Sequence, residues 1–313
     1  MACSRARSTC AWSTAQAVSV LSDDRYRVPL AVLALACFLG FFGVAALVFA
    51  GSTTTLDTSG LVALSRFHGT PLDPAFVAIS ELGVADILAF FSMITAGFIW
   101  AAGARRAAVY IVVGYVVAAV VSDGIKAVLP LARPPVSFQI PLRMSETEDL
   151  LWIGLAIVLV IVFWRTRWRW GAVIGAALFA IALFWDPTPL STPGMDSFPS
   201  GHALRSIVLV TSVLFALPVR ISRKATVALV IVVILIGVSR VYLGEHHPTD
   251  VIAGWLLGFA MIAALTLVPF FRSPEEATRL EAVRGKPTPE SPPEPAPAPS
   301  TVSHAKSRVR VGV

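Results

Sequence analysis

Three polar clusters interrupt a chain that is otherwise mostly apolar, and their residue types suit phosphate chemistry. The first, KAVLPLARPP (126–135), carries Lys126 and Arg133. The second, FPSGHALRS (198–206), carries Pro199, Ser200, Gly201 and His202. The third, SRVYLGEHHPTD (239–250), carries Ser239, Arg240, His246 and Asp250. In a partly dehydrated pocket, two guanidinium groups and an ammonium attract a phosphate, because the guanidinium fork matches its oxygens and low dielectric strengthens the attraction. Ser200 and the Gly201 backbone N–H add neutral donors where a helix begins, a position that favours anions. Pro199 can close the preceding loop, and Gly201, with no Cβ, lets a ligand come close to the backbone.

The two histidines suit a two-step displacement. His246 and Asp250 stand four apart, so a helix beginning near Pro248 lets the carboxylate reach back to the imidazole, fix its tautomer and leave the other ring nitrogen free to attack phosphorus. His202 then protonates the departing oxygen and afterwards activates the water that releases the phosphoryl group. Fixed cations neutralise the equatorial oxygens of the transition state, so the scheme calls for no metal and no other cofactor.

The elements that must position these residues are membrane helices. Apolar residues make up 56% of the 313 and charged residues 14%, and the mean hydropathy of +0.76 puts the chain in the polytopic membrane class. Apolar runs fall at residues 28–51, 84–103, 107–129, 149–164, 170–186, 202–219, 225–242 and 249–271. A spanning helix needs about 20 residues, which six runs supply and the pair at 149–164 and 170–186 does not.

Eight spans with the N-terminus inside put 19 of the 25 Lys and Arg residues in the cytoplasm, leaving Arg66, Lys126, Arg133, Arg143, Arg205 and Arg240 outside. On that topology all three polar clusters face the extracytoplasmic side. The net charge of +6 is spread in short groups between apolar runs and implies no nucleic-acid partner. Cys3, Cys10 and Cys37 have neither metal-ligand spacing nor a disulfide framework. Residues 1–27 read as a cytoplasmic segment, 28–271 as the membrane domain and 272–313 as a Pro-rich disordered cytoplasmic tail. The loop 52–83 is expected outside, with a short interfacial helix.

The set Lys126, Arg133-Pro134, Pro199-Ser200-Gly201-His202, Ser239-Arg240, His246 and Asp250 resembles the type 2 phosphatidic acid phosphatase superfamily, over about residues 84–271. The resemblance implies an all-α core of six spans, His246 as nucleophile oriented by Asp250, and His202 as acid and base. It maps Lys126, Arg133, Ser200, Gly201 and Arg240 onto phosphate-binding positions. His247 leaves only two residues before Asp250 and does not fit the family's spacing. The 64 residues between Pro134 and Pro199 hold the short apolar pair, which reads as a hairpin inserted into the six-span core.

Taken singly, each residue also has a structural role open to it. Lys126 and Arg133 could snorkel at the interface, His202 could cap a helix, His246 could be solvated, and Asp250 could serve as a first-turn helix charge. Arg205, Asp123 and Asp196 are assigned local pairing or solvation. Three spaced motifs on one membrane face favour an enzyme that hydrolyses a lipid phosphate or diphosphate at the outer face of the cell membrane. The family resemblance implies a polyprenyl diphosphate as the first substrate choice, and phosphatidic acid or phosphatidylglycerol phosphate as the second. The partners expected are lipids, and the composition leans bacterial. A phosphotransferase passing the phosphoryl group to a lipid acceptor would use the same site. A lipid carrier would carry its charges at the bilayer midplane and not at helix ends.

Overall fold

The structure, a computed structural model, describes residues 23–140, 147–184, 194–217 and 222–271. Most of the N-terminal segment, Arg143 and the whole Pro-rich tail lie outside the described residues. Ten α-helices follow in order among the described residues: α1 Arg27–Phe49, α2 Thr54–Ser65, α3 Leu72–Glu81, α4 Ala85–Ala101, α5 Arg105–Val128, α6 Thr147–Phe163, α7 Arg169–Phe184, α8 Gly201–Ala216, α9 Arg223–Tyr242 and α10 Pro248–Thr266. The expected all-α class is observed.

Among the described residues four helices are long and apolar enough to cross a membrane: Asp24–Phe49, Arg105–Val128, Arg223–Tyr242 and Pro248–Thr266. A fifth arises if α3 and α4, bent by 47°, form one span, while Trp152–Phe163, Arg169–Ala182 and Gly201–Ala216 are shorter apolar helices. The outward sides of α1 and α9 carry exposed Val28, Leu39, Phe42, Val230 and Ile234. Such a surface suits a hydrocarbon solvent and not water. The loop 52–83 contains two helices, α2 and α3, where one was expected. Both have packing partners that its sequence alone does not name: Leu61 of α2 is buried against Ala203, Val241 and Val251, and Phe76 of α3 stacks on Tyr242 at 4.1 Å.

Local chemistry sets the helix limits that matter for the site. Pro130, Pro134 and Pro135 cannot continue α5, which ends at Val128. Ser200 is the N-cap of α8, directly after Pro199. Pro248 takes the first turn of α10, where its missing N–H costs nothing, and the Asp250 side chain accepts from the His247 backbone N–H to close a capping box.

In the bundle α8 packs against α4, α5, α9 and α10, and α10 packs in turn against α1. Glycines permit the closest approach. A Cβ on Gly254 would lie 2.7 Å from the Ser200 carbonyl oxygen, and one on Gly258 would lie 2.7 Å from that of Leu204. This Gly-x-x-x-Gly pair brings the backbones of α8 and α10 together. The hairpin of α6 and α7 docks on α4 in the same way, since a Cβ on Gly97 would lie 2.3 Å from the Gly171 carbonyl oxygen. Between α5 and α10 the buried Tyr110 hydroxyl lies 2.7 Å from that of Thr266.

Replacing Gly254 by Val forces α8 and α10 apart, a cost of about 1–3 kcal/mol for an overpacked contact. The detergent-purified variant is expected to show a lowered Tm, whereas Gly43→Ala in α1, with nothing within 4 Å of the added carbon, should hold or gain slightly. Equal Tm values for the two variants would show that this contact does not hold the helices.

Candidate active site

Short backbone pairings join the first two clusters. Leu131 and Asp196 form an isolated parallel bridge, with the Arg133 N–H donating to the Gly194 carbonyl at 3.1 Å and the Ser197 N–H to that of Leu131 at 3.0 Å. The second cluster joins the third where the Ser200 N–H donates to the Asp250 carbonyl at 3.0 Å. After α9 the chain reverses at Gly244, whose φ of +69° suits glycine and whose Cβ would strike the Phe138 carbonyl. The turn folds the His246 N–H back onto the Arg240 carbonyl at 3.2 Å. All eight site residues expected from sequence are thereby gathered at one end of the bundle.

Asp250 is 2% exposed. Its Oδ2 accepts from the Ser197 hydroxyl at 2.5 Å and from the His247 N–H at 2.8 Å. His246, also 2% exposed, turns Nδ1 toward the same oxygen at 3.7 Å, longer than a hydrogen bond, and this atom has no other partner. His247, set aside by spacing, lies with its Nδ1 3.4 Å from that oxygen. Both imidazoles thus face one carboxylate. The His202 ring edge lies over Gly83, at the bend between α3 and α4, where a Cβ would be 2.8 Å from its Cδ2. Arg240, His246, Arg205 and Lys126 are all within electrostatic reach of His202.

The arginines are held by carboxylates. Arg133 donates to both oxygens of Asp196 at 2.8 Å and also to Glu245. Arg240, 5% exposed, donates to the Ser80 hydroxyl at 2.6 Å and lies 3.5 Å from Glu245. Arg205 pairs with Asp123 at 3.2 Å, so the local pairing expected for Arg205, Asp123 and Asp196 is observed. Lys126 makes no hydrogen bond or ion pair among the described residues. The Ser200 hydroxyl is buried without a partner.

Electrostatics outside the helices follow from burial and these contacts. Burial pushes the His246 imidazole down to about 4, with Asp250 opposing the shift and Arg240 adding to it. Burial would likewise lower His247, but the Asp250 carboxylate outweighs it and the imidazole is raised. Burial would raise Asp196, yet the hydrogen bonds and charge of Arg133 hold its carboxyl below the usual carboxylate range. A neutral, buried imidazole backed by a carboxylate, a second imidazole and several cations can receive an anion and attack it.

Sequence reasoning missed Ser197, Ser80, Glu245, Asp57 and Gly83. Asp57 accepts from the Thr249 N–H at 3.1 Å and hydroxyl at 2.9 Å, pinning α2 to the first turn of α10. Ser197 and Glu245 adjoin recognised motifs, and a polar residue at the edge of an apolar helix was the available signal for both. For Ser80, Asp57 and Gly83 the sequence offers no such signal.

The sequence model of the PAP2 superfamily matches residues 107–274, more than half of the chain, including all three clusters. A 128-residue stretch is 34% identical to the undecaprenyl-diphosphatase of Sulfolobus acidocaldarius, covering 36% of this chain and 60% of that protein. The phosphatidylglycerophosphatase B of Bacillus subtilis is 34% identical over 82 residues, covering 24% of this chain and 40% of that one. The lipid A 1-phosphatase of Rhizobium johnstonii is 36% identical over 77 residues, 25% and 29% of the two chains. The chain therefore spans 60% or less of the length of these relatives. No solved structure gives a significant match.

The lowered value of His246 implies a neutral ring well below the ordinary histidine range. In an NMR titration of labelled histidines, with His246→Ala to assign the signal, its resonances should stay in the neutral position from pH 7.5 to about 5.5. A midpoint near 6.5 would mean that the ring is solvated and the pocket open.

Proposed function

Because the chain belongs to the PAP2 superfamily, we propose that it is an integral membrane phosphatase that removes phosphate from a lipid phosphate or diphosphate through a phosphohistidine intermediate. The observation that best supports this is the meeting of three separated clusters around the buried Asp250 carboxylate, with the neutral His246 imidazole facing it.

In the first step Nε2 of His246 forms a bond to phosphorus as the bond to the leaving oxygen breaks, and His202 gives that oxygen its proton. The Asp250 charge, 3.7 Å from Nδ1, favours the His246 tautomer protonated there, which leaves Nε2 unprotonated. In the second step His202 takes a proton from water, the resulting hydroxide displaces His246, and inorganic phosphate leaves. Arg133, Arg240, Lys126, the Ser200 hydroxyl and the Gly201 N–H bind the remaining phosphoryl oxygens. Glu245 bridges the two arginines, so a phosphate bound there must displace it.

The proposal extends to the setting. α1, α4, α5, α8, α9 and α10 form a six-span core, with α6 and α7 as an added hairpin. The site lies on the extracytoplasmic face of a bacterial cell membrane, and both termini are cytoplasmic. A polyprenyl diphosphate is the preferred substrate, in line with the name of the Sulfolobus relative.

The two histidines can be separated experimentally. His246→Ala should form no phosphoenzyme and show background turnover with any substrate. His202→Ala should lose about 10²–10⁴-fold on a lipid ester, yet accumulate an acid-labile phosphohistidine with nitrophenyl phosphate, whose phenolate leaves with little protonation. Phosphate found by mass spectrometry on residue 202 of the wild type, or substantial turnover by His246→Ala, would reverse the assignment.

Removing the competing carboxylate should tighten anion binding. Glu245→Gln is expected to lower the inhibition constant for vanadate several-fold, measured on the purified enzyme, whereas unchanged or weaker inhibition would show that Glu245 supports the arginines and does not compete for them.

A further inference from the structure

Beside the atoms assigned to the transferred phosphoryl group lies a second set of donors, carried by facing surfaces of α5 and α8. Arg205 stands one helical turn after Gly201, and helical side chains lean toward the N-terminus. Its guanidinium folds back accordingly, with Nη1 3.0 Å from the point where a Cβ on Gly201 would sit. The Ser122 hydroxyl lies 3.6 Å from that same point. One turn further along α5 from Ser122 comes Lys126.

Several of these donors lack acceptors. Ser122 and Ser200 are both 0% exposed, and neither hydroxyl has a hydrogen-bond partner, nor does the buried Nε of Arg205. Buried donors with no acceptor are uncommon in native proteins, and an anion's oxygens are suited to accept from them. Asp123, at 3.2 Å, holds the other side of the guanidinium and sets its direction without occupying Nε. Lys126 is within electrostatic reach of Arg205 and of Arg133. Arg205, Lys126, Arg133 and Arg240 therefore lie in one cluster of cations, with Glu245 bridging the last two. Four cations are more than one phosphate requires.

We propose that Arg205 and Ser122 form a second anion subsite that binds the lipid-bearing phosphate of a diphosphate, while Arg133, Arg240 and the histidines bind the terminal one and Lys126, between the two, reaches both. This rests on the phosphatase reading and assigns its substrate class to particular residues. Chemically, the bond from His246 to the terminal phosphorus forms as the bond to the bridging oxygen breaks. The electron pair stays on that oxygen, and the leaving group is a lipid monophosphate. Its growing negative charge develops where Arg205 and Lys126 can meet it.

The test compares farnesyl diphosphate with farnesyl monophosphate, which differ only in the second phosphate. Arg205→Gln should lower kcat/KM about tenfold on the diphosphate, as for loss of a charged hydrogen bond, and clearly less on the monophosphate. Arg205→Lys should restore part of the difference, and Ser122→Ala should shift the ratio in the same direction. Equal losses on both substrates, or none, would overturn the subsite. So would Asp123→Asn reproducing the effect with Arg205 still present, because the pair would then be structural. Binding of methylene diphosphonate, followed by thermal shift of the full chain, is independent of turnover. Wild type should prefer it to inorganic phosphate and Arg205→Gln should lose that preference. Wild type that hydrolyses neither substrate would sink the phosphatase reading, and the thermal-shift comparison would still decide the subsite.

Discussion

A carboxylate buried at the head of an apolar bundle must be surrounded by donors, and Asp250 organises this protein through that requirement. Its Oδ2 takes the Ser197 hydroxyl from the segment before α8 and the His247 N–H from the turn after α9. Its carbonyl takes the Ser200 N–H at the start of α8. One residue earlier, Thr249 is held by Asp57 from α2. Segments from three parts of the chain are thus tied to the first turn of α10, and both histidines are carried in with them.

Charge balance is the second constraint. Arg133, Arg240 and Arg205 could not lie side by side in a low-dielectric bundle without counter-charges. Asp196, Glu245 and Asp123 supply them at the distances of ion pairs. Most of these carboxylates also set the direction of a guanidinium fork. In the proposed function the same pairs limit how tightly the pocket can hold an anion, because an incoming phosphate would compete with Glu245 for the two arginines it bridges, and that competition would favour product release.

Close backbone approach is the third. Gly254 and Gly258 let α8 settle on α10, Gly83 leaves room for the His202 ring, and Gly244 turns the chain after α9. The first two form a Gly-x-x-x-Gly pattern that a sequence can display. What it cannot display is the partner, since the missing Cβ matters only because a particular carbonyl or ring lies opposite it.

The sequence by itself determined the helical class, the apolar character of the bundle and the eight residues gathered at its end, because these depend on quantities that are local along the chain. Hydropathy needs only composition. A helix start needs Pro, Ser or Asp at a given offset, and His246 stands four residues before Asp250, just ahead of α10. Tertiary structure alone decided that Ser80 would hold Arg240 across 160 positions and Asp57 would hold Thr249 across 192. It alone decided too that two helices in the loop 52–83 would reach the site and that Arg205 would fold back beside Gly201. Such contacts leave no period in the sequence, for they are selected by which buried polar groups lack a partner once the helices have packed.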